Sequence, residues 1–384
     1  MRDTMNNCAP QVAVVLSLGL SLLSSPSLAE LPLPSFPQCG VEGGECPSDY
    51  SPLGHWELGS GLPEQVNAGG LSPVEAALGT GMSVDRAWNT TTGRSDVLIA
   101  VMDSGIKWDS GGLVNKHFLN AGELPFPQRA DGTDEGRHDL NADGIFNMAD
   151  FEEDPRVSPT SGGLAGGHAD GLRDPSDLIA VFSDGIDADG NGFIDDISGW
   201  DFFWNDNNAY DEVRNGGYSH GTKEAQWSTE EGGNGGGLGS CPNCMVLNLR
   251  VSDSFIGDVN NFASAALYAV DMGALVIQEA LGTLGNTTLA SDAIDYAWER
   301  GVTVVGSAGD ETSYHRNFPG ANAHTLYVHA IRHDSTEPEN ATTFFAYSNC
   351  TSLLYDFTTR PSPVTPGPVA ARGRRNREAP RHRR

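Results

Sequence analysis

The sequence predicts a doubly wound α/β domain, a mostly parallel sheet flanked by helices, and three observations carry that prediction. Short apolar runs at Val97 to Met102, Met245 to Val251, Ala274 to Gln278 and Val302 to Val305 have the length of buried strands. Amphipathic stretches fill two of the intervals, Val259 to Met272 and Leu289 to Arg300. The other connections are rich in Gly and Asp. Strand, helix and strand in succession is the pattern of βαβ units around a parallel sheet.

The chain begins with Arg2, an apolar run from Val12 to Leu23 and then Ser27-Leu28-Ala29, which reads as a signal peptide over residues 1–29. That run is too short for a bilayer crossing, which needs about 20 apolar residues. A secreted or periplasmic protein without a membrane span is therefore expected. Residues 30–95 are rich in Pro, Gly and Ser with little periodicity and read as a loop-rich extension, with a pro-segment as one reading. Strand and helix patterning begins at about residue 96. Residues 353–384 form an Arg- and Pro-rich tail in which no apolar periodicity can build a packed element. A genuine basic tail and a terminus encoded out of frame both fit it.

Net charge is −28, although that tail holds eight of the 23 Lys and Arg residues, so the rest of the chain is more acidic still. Such a surface repels nucleic acid and anionic lipid and attracts cations. Nucleic acid is excluded as a partner on this ground, and calcium is the natural counterion. With residues 1–29 removed, five cysteines remain. In an oxidising compartment Cys39 with Cys46 and Cys241 with Cys244 are the simplest disulfides, leaving Cys350 as a free thiol. The CxxC spacing of Cys241 and Cys244 also admits redox chemistry, but no thioredoxin-like context surrounds it.

Two loops carry oxygen ligands at calcium-binding spacing. Asp139, Asn141 and Asp143 occupy positions 1, 3 and 5, with Gly144 at 6 and Asp150 at 12. Asp187, Asp189, Asn191 and Asp195 repeat the first part of that pattern, with Gly192 at 6 and Ser198 at 12. A solvated Asp/Asn/Gly turn is the alternative for each loop. The sequons at Asn89, Asn286, Asn340 and Asn349 are glycosylation acceptors only in a cell that glycosylates.

Asp103-Ser104-Gly105 follows the first apolar run, at the strand end where α/β sheets place their chemistry. His220-Gly221-Thr222 comes later, after a long acidic stretch. Acid and then histidine is an order that suits an acid orienting an imidazole base. With these motifs in that order, residues 81–350 resemble the subtilase family, the subtilisin-like serine proteases of peptidase family S8. The resemblance implies a serine endopeptidase acting on peptide or protein substrates, with Asp103 as the orienting acid and His220 as the general base. It assigns Ala280-Leu281-Gly282-Thr283 to the edge that pairs with substrate backbone, with Leu281 and Gly282 as binding residues. It places Ser307, Gly309 and Asp310 in the oxyanion segment, with Asp310 where the family usually has Asn. Residues 96–352 then form an incomplete peptidase domain, because no Gly-Thr-Ser, the family's nucleophile motif, occurs in the sequence. Lys223-Glu224-Ala225-Gln226 also departs from the small residues usual after the histidine motif and is expected to crowd its helix. A non-catalytic, calcium-binding descendant of the same fold is the alternative function.

Overall fold

In the computed structural model the described residues are 35–36, 39, 44–51, 58–59, 82–159, 170–212, 219–253, 257–307 and 317–328. The expectations for residues 1–29, Gly309, Asp310, Cys350, Asn340, Asn349 and the tail 353–384 fall outside them. In chain order the elements are α1 (Val84–Ala87), β1 (Leu98–Asp103), 3-10 turns at Val114–Lys116 and Met148–Phe151, α2 (Pro175–Phe182) and β2 (Trp200–Asp201). They continue with α3 (His220–Thr229), β3 (Met245–Arg250), α4 (Val259–Asp271), β4 (Val276–Glu279), α5 (Thr288–Glu299), β5 (Thr303–Ser307) and β6 (Thr325–Val328).

The six strands form one sheet in the order β2-β3-β1-β4-β5-β6, with every pairing parallel. Central parallel strands are covered on both faces and so read as continuous apolar runs. β1 and β3 are accordingly buried at every residue. On one face Ala100, Met102, Leu247, Leu249, Ile277 and Val304 pack against Phe262, Ala266 and Ala269 of α4 and Ala290, Ile294 and Ala297 of α5. Truncating a fully buried side chain such as Ile277 to Ala would cost about 2–5 kcal/mol. On the other face Ile99, Val101 and Val246 meet Ala225 of α3 together with Ile106 and Leu113.

Local signals fix the helix starts. The Asp258 side chain accepts from the Asn260 amide at 2.7 Å and caps α4, while Thr287 accepts from Ala290 and caps α5. Asp174 and Asp177 close a capping box on α2, with Pro175 in its first turn. The long connection between β1 and β2 has a core of its own, in which Trp108, Phe151, Leu178 and Ile197 are buried together.

The sequence pattern predicts four of the six strands and both long helices. β2 spans two residues, too short to show a period, and β6, at the sheet edge, alternates buried with exposed residues and so leaves no continuous buried run. The described part of residues 30–95 packs into the domain. Trp88 is fully buried with Cys39, Leu58 and Leu238, and its indole N–H donates to the Ser240 carbonyl at 3.1 Å. Cys39 is bonded to Cys46, and Cys241 to Cys244. Asn89 uses its side-chain nitrogen on the carbonyls of Cys39, Asp85 and Arg86, whereas Asn286 is exposed.

Candidate active site

Asp103 ends β1 and His220 begins α3, so a strand C-terminus and a helix N-terminus deliver the two motifs to one point. His220 Nδ1 lies 2.7 Å from Asp103 Oδ1 and 2.9 Å from Oδ2. A carboxylate only accepts, so Nδ1 is the protonated nitrogen of this contact. The Ser104 amide donates to Asp103 Oδ1 at 2.7 Å, which fixes the carboxylate in turn.

Behind this pair lies a buried hydroxyl–carboxylate lattice. The Ser104 hydroxyl accepts from the Gly221 amide at 3.0 Å and donates to Asp211 Oδ1 at 3.1 Å. The Thr222 hydroxyl donates to Asp211 Oδ2 at 2.7 Å and accepts from the Lys107 amide. Every polar residue of Asp103-Ser104-Gly105 and His220-Gly221-Thr222 is thereby used in joining β1 to α3. Asp211 is a member of this lattice that no sequence motif marks.

Burial works against a charged imidazole at His220, but the hydrogen bond and charge of Asp103, aided by Glu224 and Asp211, outweigh it and raise its pKa. Burial raises the Asp211 carboxyl, against the hydrogen bonds from Thr222 and Ser104. Glu279, at the end of β4, is 5% exposed, and its Oε2 has no hydrogen-bond partner. Burial, with the Asp103 charge adding to it, holds its carboxyl well above the ordinary range.

The expected substrate edge follows β4 toward the same end of the sheet. Leu281 is 1% exposed and belongs to the core, so only its backbone can face a ligand. Gly282 abuts the Asn317 side chain and its carbonyl accepts from the Gly257 amide. Thr283 is paired with Phe318 in an isolated antiparallel bridge. Ser307 ends β5 opposite Val328 of β6.

The acidic loops take definite shapes. In the first, Asp139 Oδ2 accepts from the Gly144 amide, and the Asn141 and Asp143 side chains are joined at 3.0 Å. Asp150 spends its oxygens on the amides of Leu140, Asn141 and Asn147 and so acts as the staple that closes the loop. In the second, Asp187 accepts from the amides of Gly190, Asn191 and Gly192, and Asp195 accepts from those of Asp184 and Gly185. Carboxylate oxygens of Glu123, Asp189 and Asp196 lie within 4.8 Å of one another, a group that could hold a metal ion. Asn120 and Asn191 each donate to both Asp189 and Asp196, and the Tyr268 hydroxyl donates to Asp196 at 2.6 Å. Hard oxygen donors in this number suit calcium or magnesium. The spacing pattern finds Asp189 but misses Asp196 and Glu123, the latter arriving from 66 residues upstream.

Residues 94–380 match the model of Peptidase_S8, the subtilase family. The match runs past Ser352 into the basic tail. The thermophilic serine proteinase of Bacillus sp. (strain AK1) is 35% identical over 158 residues, 40% of this chain and 38% of that protein. Thermitase of Thermoactinomyces vulgaris is 34% identical over 157 residues, 40% of this chain and 52% of that protein. The chain thus spans about half, or less, of the length of these curated relatives. Among solved structures, the S41 psychrophilic protease aligns at 19% identity with a TM-score of 0.35, over 62% of this chain and 54% of that one.

Proposed function

Since the chain belongs to the subtilase family, we propose that it is a secreted, calcium-stabilised serine endopeptidase body in which Asp103 and His220 form the acid–base part of an Asp-His-Ser triad. The observation that carries the reading is the 2.7 Å contact of His220 Nδ1 with Asp103 at the carboxyl end of the central strand. In such a triad Nε2 takes the proton of a serine hydroxyl as that oxygen attacks the scissile carbonyl, then returns it to the leaving amine. Asp103 holds the tautomer and balances the imidazolium. Peptide or protein chains are the substrates, lying along the Leu281-Gly282 backbone as an added strand. At the oxyanion position Asp310 donates only in its protonated form.

Calcium fits the oxygen-only group of Glu123, Asp189 and Asp196, where it would offset carboxylates that otherwise repel one another. Its chemistry there is structural, holding the connection between β1 and β2. Asp139, Asn141 and Asp143 would form the second such loop.

No Gly-Thr-Ser occurs among the 384 residues, and we propose that the chain by itself does not turn over peptides. That same observation favours the second reading, a non-catalytic calcium-binding protein on the same fold. A serine-directed fluorophosphonate tests the matter, and no labelling of the 384-residue chain is expected. Stoichiometric labelling of one serine, abolished by His220→Ala, would overturn the inactive assignment and establish a complete triad.

A further inference from the structure

The four residues that follow the histidine motif were expected to crowd α3, and the structure sorts them. Ala225 alone is fully buried against the sheet; Lys223 is exposed, and Gln226 donates to the Ser110 hydroxyl at 3.2 Å. Glu224 is half-buried one helical turn beyond His220, on the same side of the helix. Gln278 Nε2 of β4 donates to Glu224 Oε2 and to the Glu224 carbonyl, both at 3.1 Å. Gln278 is itself paired with Val101 of β1, two residues before Asp103. Helix α3 is thus fastened to the sheet twice, by Asp103 and Ser104 at its first turn and by Gln278 at its second.

We propose that Glu224 is a positioning residue for His220, anchoring α3 to β4 through Gln278 and standing as a second carboxylate behind the imidazole. The inference rests on His220 being the base of the proposed triad. The charged groups bearing on His220 are Asp103 from β1, Asp211 from the segment after β2, and Glu224 from α3 itself. Glu279 of β4 bears on Asp103. Burial and the Asp103 charge raise the Glu224 carboxyl, while His220 and the Gln278 amide work the other way.

The test is an NMR titration of the His220 ring in the 384-residue chain, which reads the dyad without requiring turnover. Glu224→Gln keeps an oxygen for the Gln278 amide and removes only the charge. The His220 midpoint should fall by about half a unit or more, as expected when a nearby opposite charge is lost, with the downfield Nδ1–H resonance retained. Gln278→Ala keeps the charge and removes the anchor, and should accelerate exchange of that Nδ1 proton. A midpoint unchanged in Glu224→Gln, even with lower thermal stability, would reduce Glu224 to packing and overturn the proposal. Unchanged proton exchange in Gln278→Ala would overturn the anchoring part, including in the event that Glu224→Gln does not fold. Asp103→Asn separates the two levels of the argument. If it leaves the His220 midpoint unmoved, the dyad itself is refuted; if it moves the midpoint and Glu224→Gln does not, only the role of Glu224 is lost.

Discussion

Gly221 of α3 lies so close to the turn after β1 that a β-carbon on it would overlap the Gly105 carbonyl oxygen and stand 2.9 Å from the β-carbon of Asp103. Gly105 answers with φ +96°, and a β-carbon there would be 2.5 Å from the Ala209 carbonyl. Gly221 sets the distance between strand and helix, and so the reach from Asp103 to His220, while Gly105 lets the segment after β2 approach the same turn. Gly221→Ala should lift α3, lower stability by about 1–3 kcal/mol as overpacking does, and weaken the Asp103–His220 hydrogen bond. A denaturant melt and the imidazole Nδ1–H resonance measure the two effects, and wild-type values for both would show that the contact is slack.

Acid should destabilise the fold through His117. This ring is fully buried, 5.0 Å from Trp108, with no hydrogen-bond partner for either nitrogen. Burial pushes its pKa down to about 3 from 6.5, and the nearby Lys107 carbonyl, outside hydrogen-bonding geometry, opposes this only in part. Between those values the unfolded chain binds the proton and the folded chain does not, so stability falls as pH drops through that window. The slope from this group is about 1.4 kcal/mol per pH unit. His117→Phe should flatten the acid limb of a stability-versus-pH curve by that slope, and an unchanged limb would mean that His117 finds a proton acceptor in the folded state.

Millimolar calcium should raise the thermal midpoint, and Glu123→Gln should remove much of the rise. A ligand bound only by the native state at 100 times its dissociation constant adds about 2.7 kcal/mol. Glu123 is the informative position because it draws on the contact of Glu123 with Asp189 and Asp196 rather than on loop spacing. Equal midpoints in chelator and in calcium would remove the metal from the account.

Arg250 and Asp201 form a buried ion pair at 2.6 Å across adjacent strand ends, level with Asp103 in the register. The guanidinium leaves Nε and Nη2 unpaired and lies 5.4 Å from the Phe203 ring. Arg250→Met should cost about 3–5 kcal/mol by stranding the Asp201 charge. Adding Asp201→Asn should recover most of that loss, since the amide oxygen can still accept from Phe203 and Trp204. A double variant no more stable than Arg250→Met would place the cost in packing.

The sheet was legible because buried parallel strands leave apolar runs, unbroken from Val97 to Met102, and α4 and α5 because their apolar faces recur at helical spacing. The acid and the base were legible through short motifs at element ends. What stayed hidden depends on contacts remote in sequence. Asp211 joins the site only because the chain after β2 passes beside β1, and Glu123 meets Asp189 only once the connection between β1 and β2 has folded on itself. Lys223 to Gln226 misled for a related reason, since sequence alone does not say which of four consecutive helical residues turns inward.

The packing of Trp88 against Cys39, Leu58 and Leu238 changes what proteolytic nicking would do. Cys39 is tied covalently to Cys46, Asp49 accepts from the amides of Gly233 and Asn234, and the Phe36 amide donates to the Trp88 carbonyl. A cut between Gly59 and Met82 would sever the chain without releasing the piece that contains these residues. The nicked protein would elute as one species from a sizing column and run as two bands under denaturing conditions, the shorter strand staying as a non-covalent subunit of its own domain.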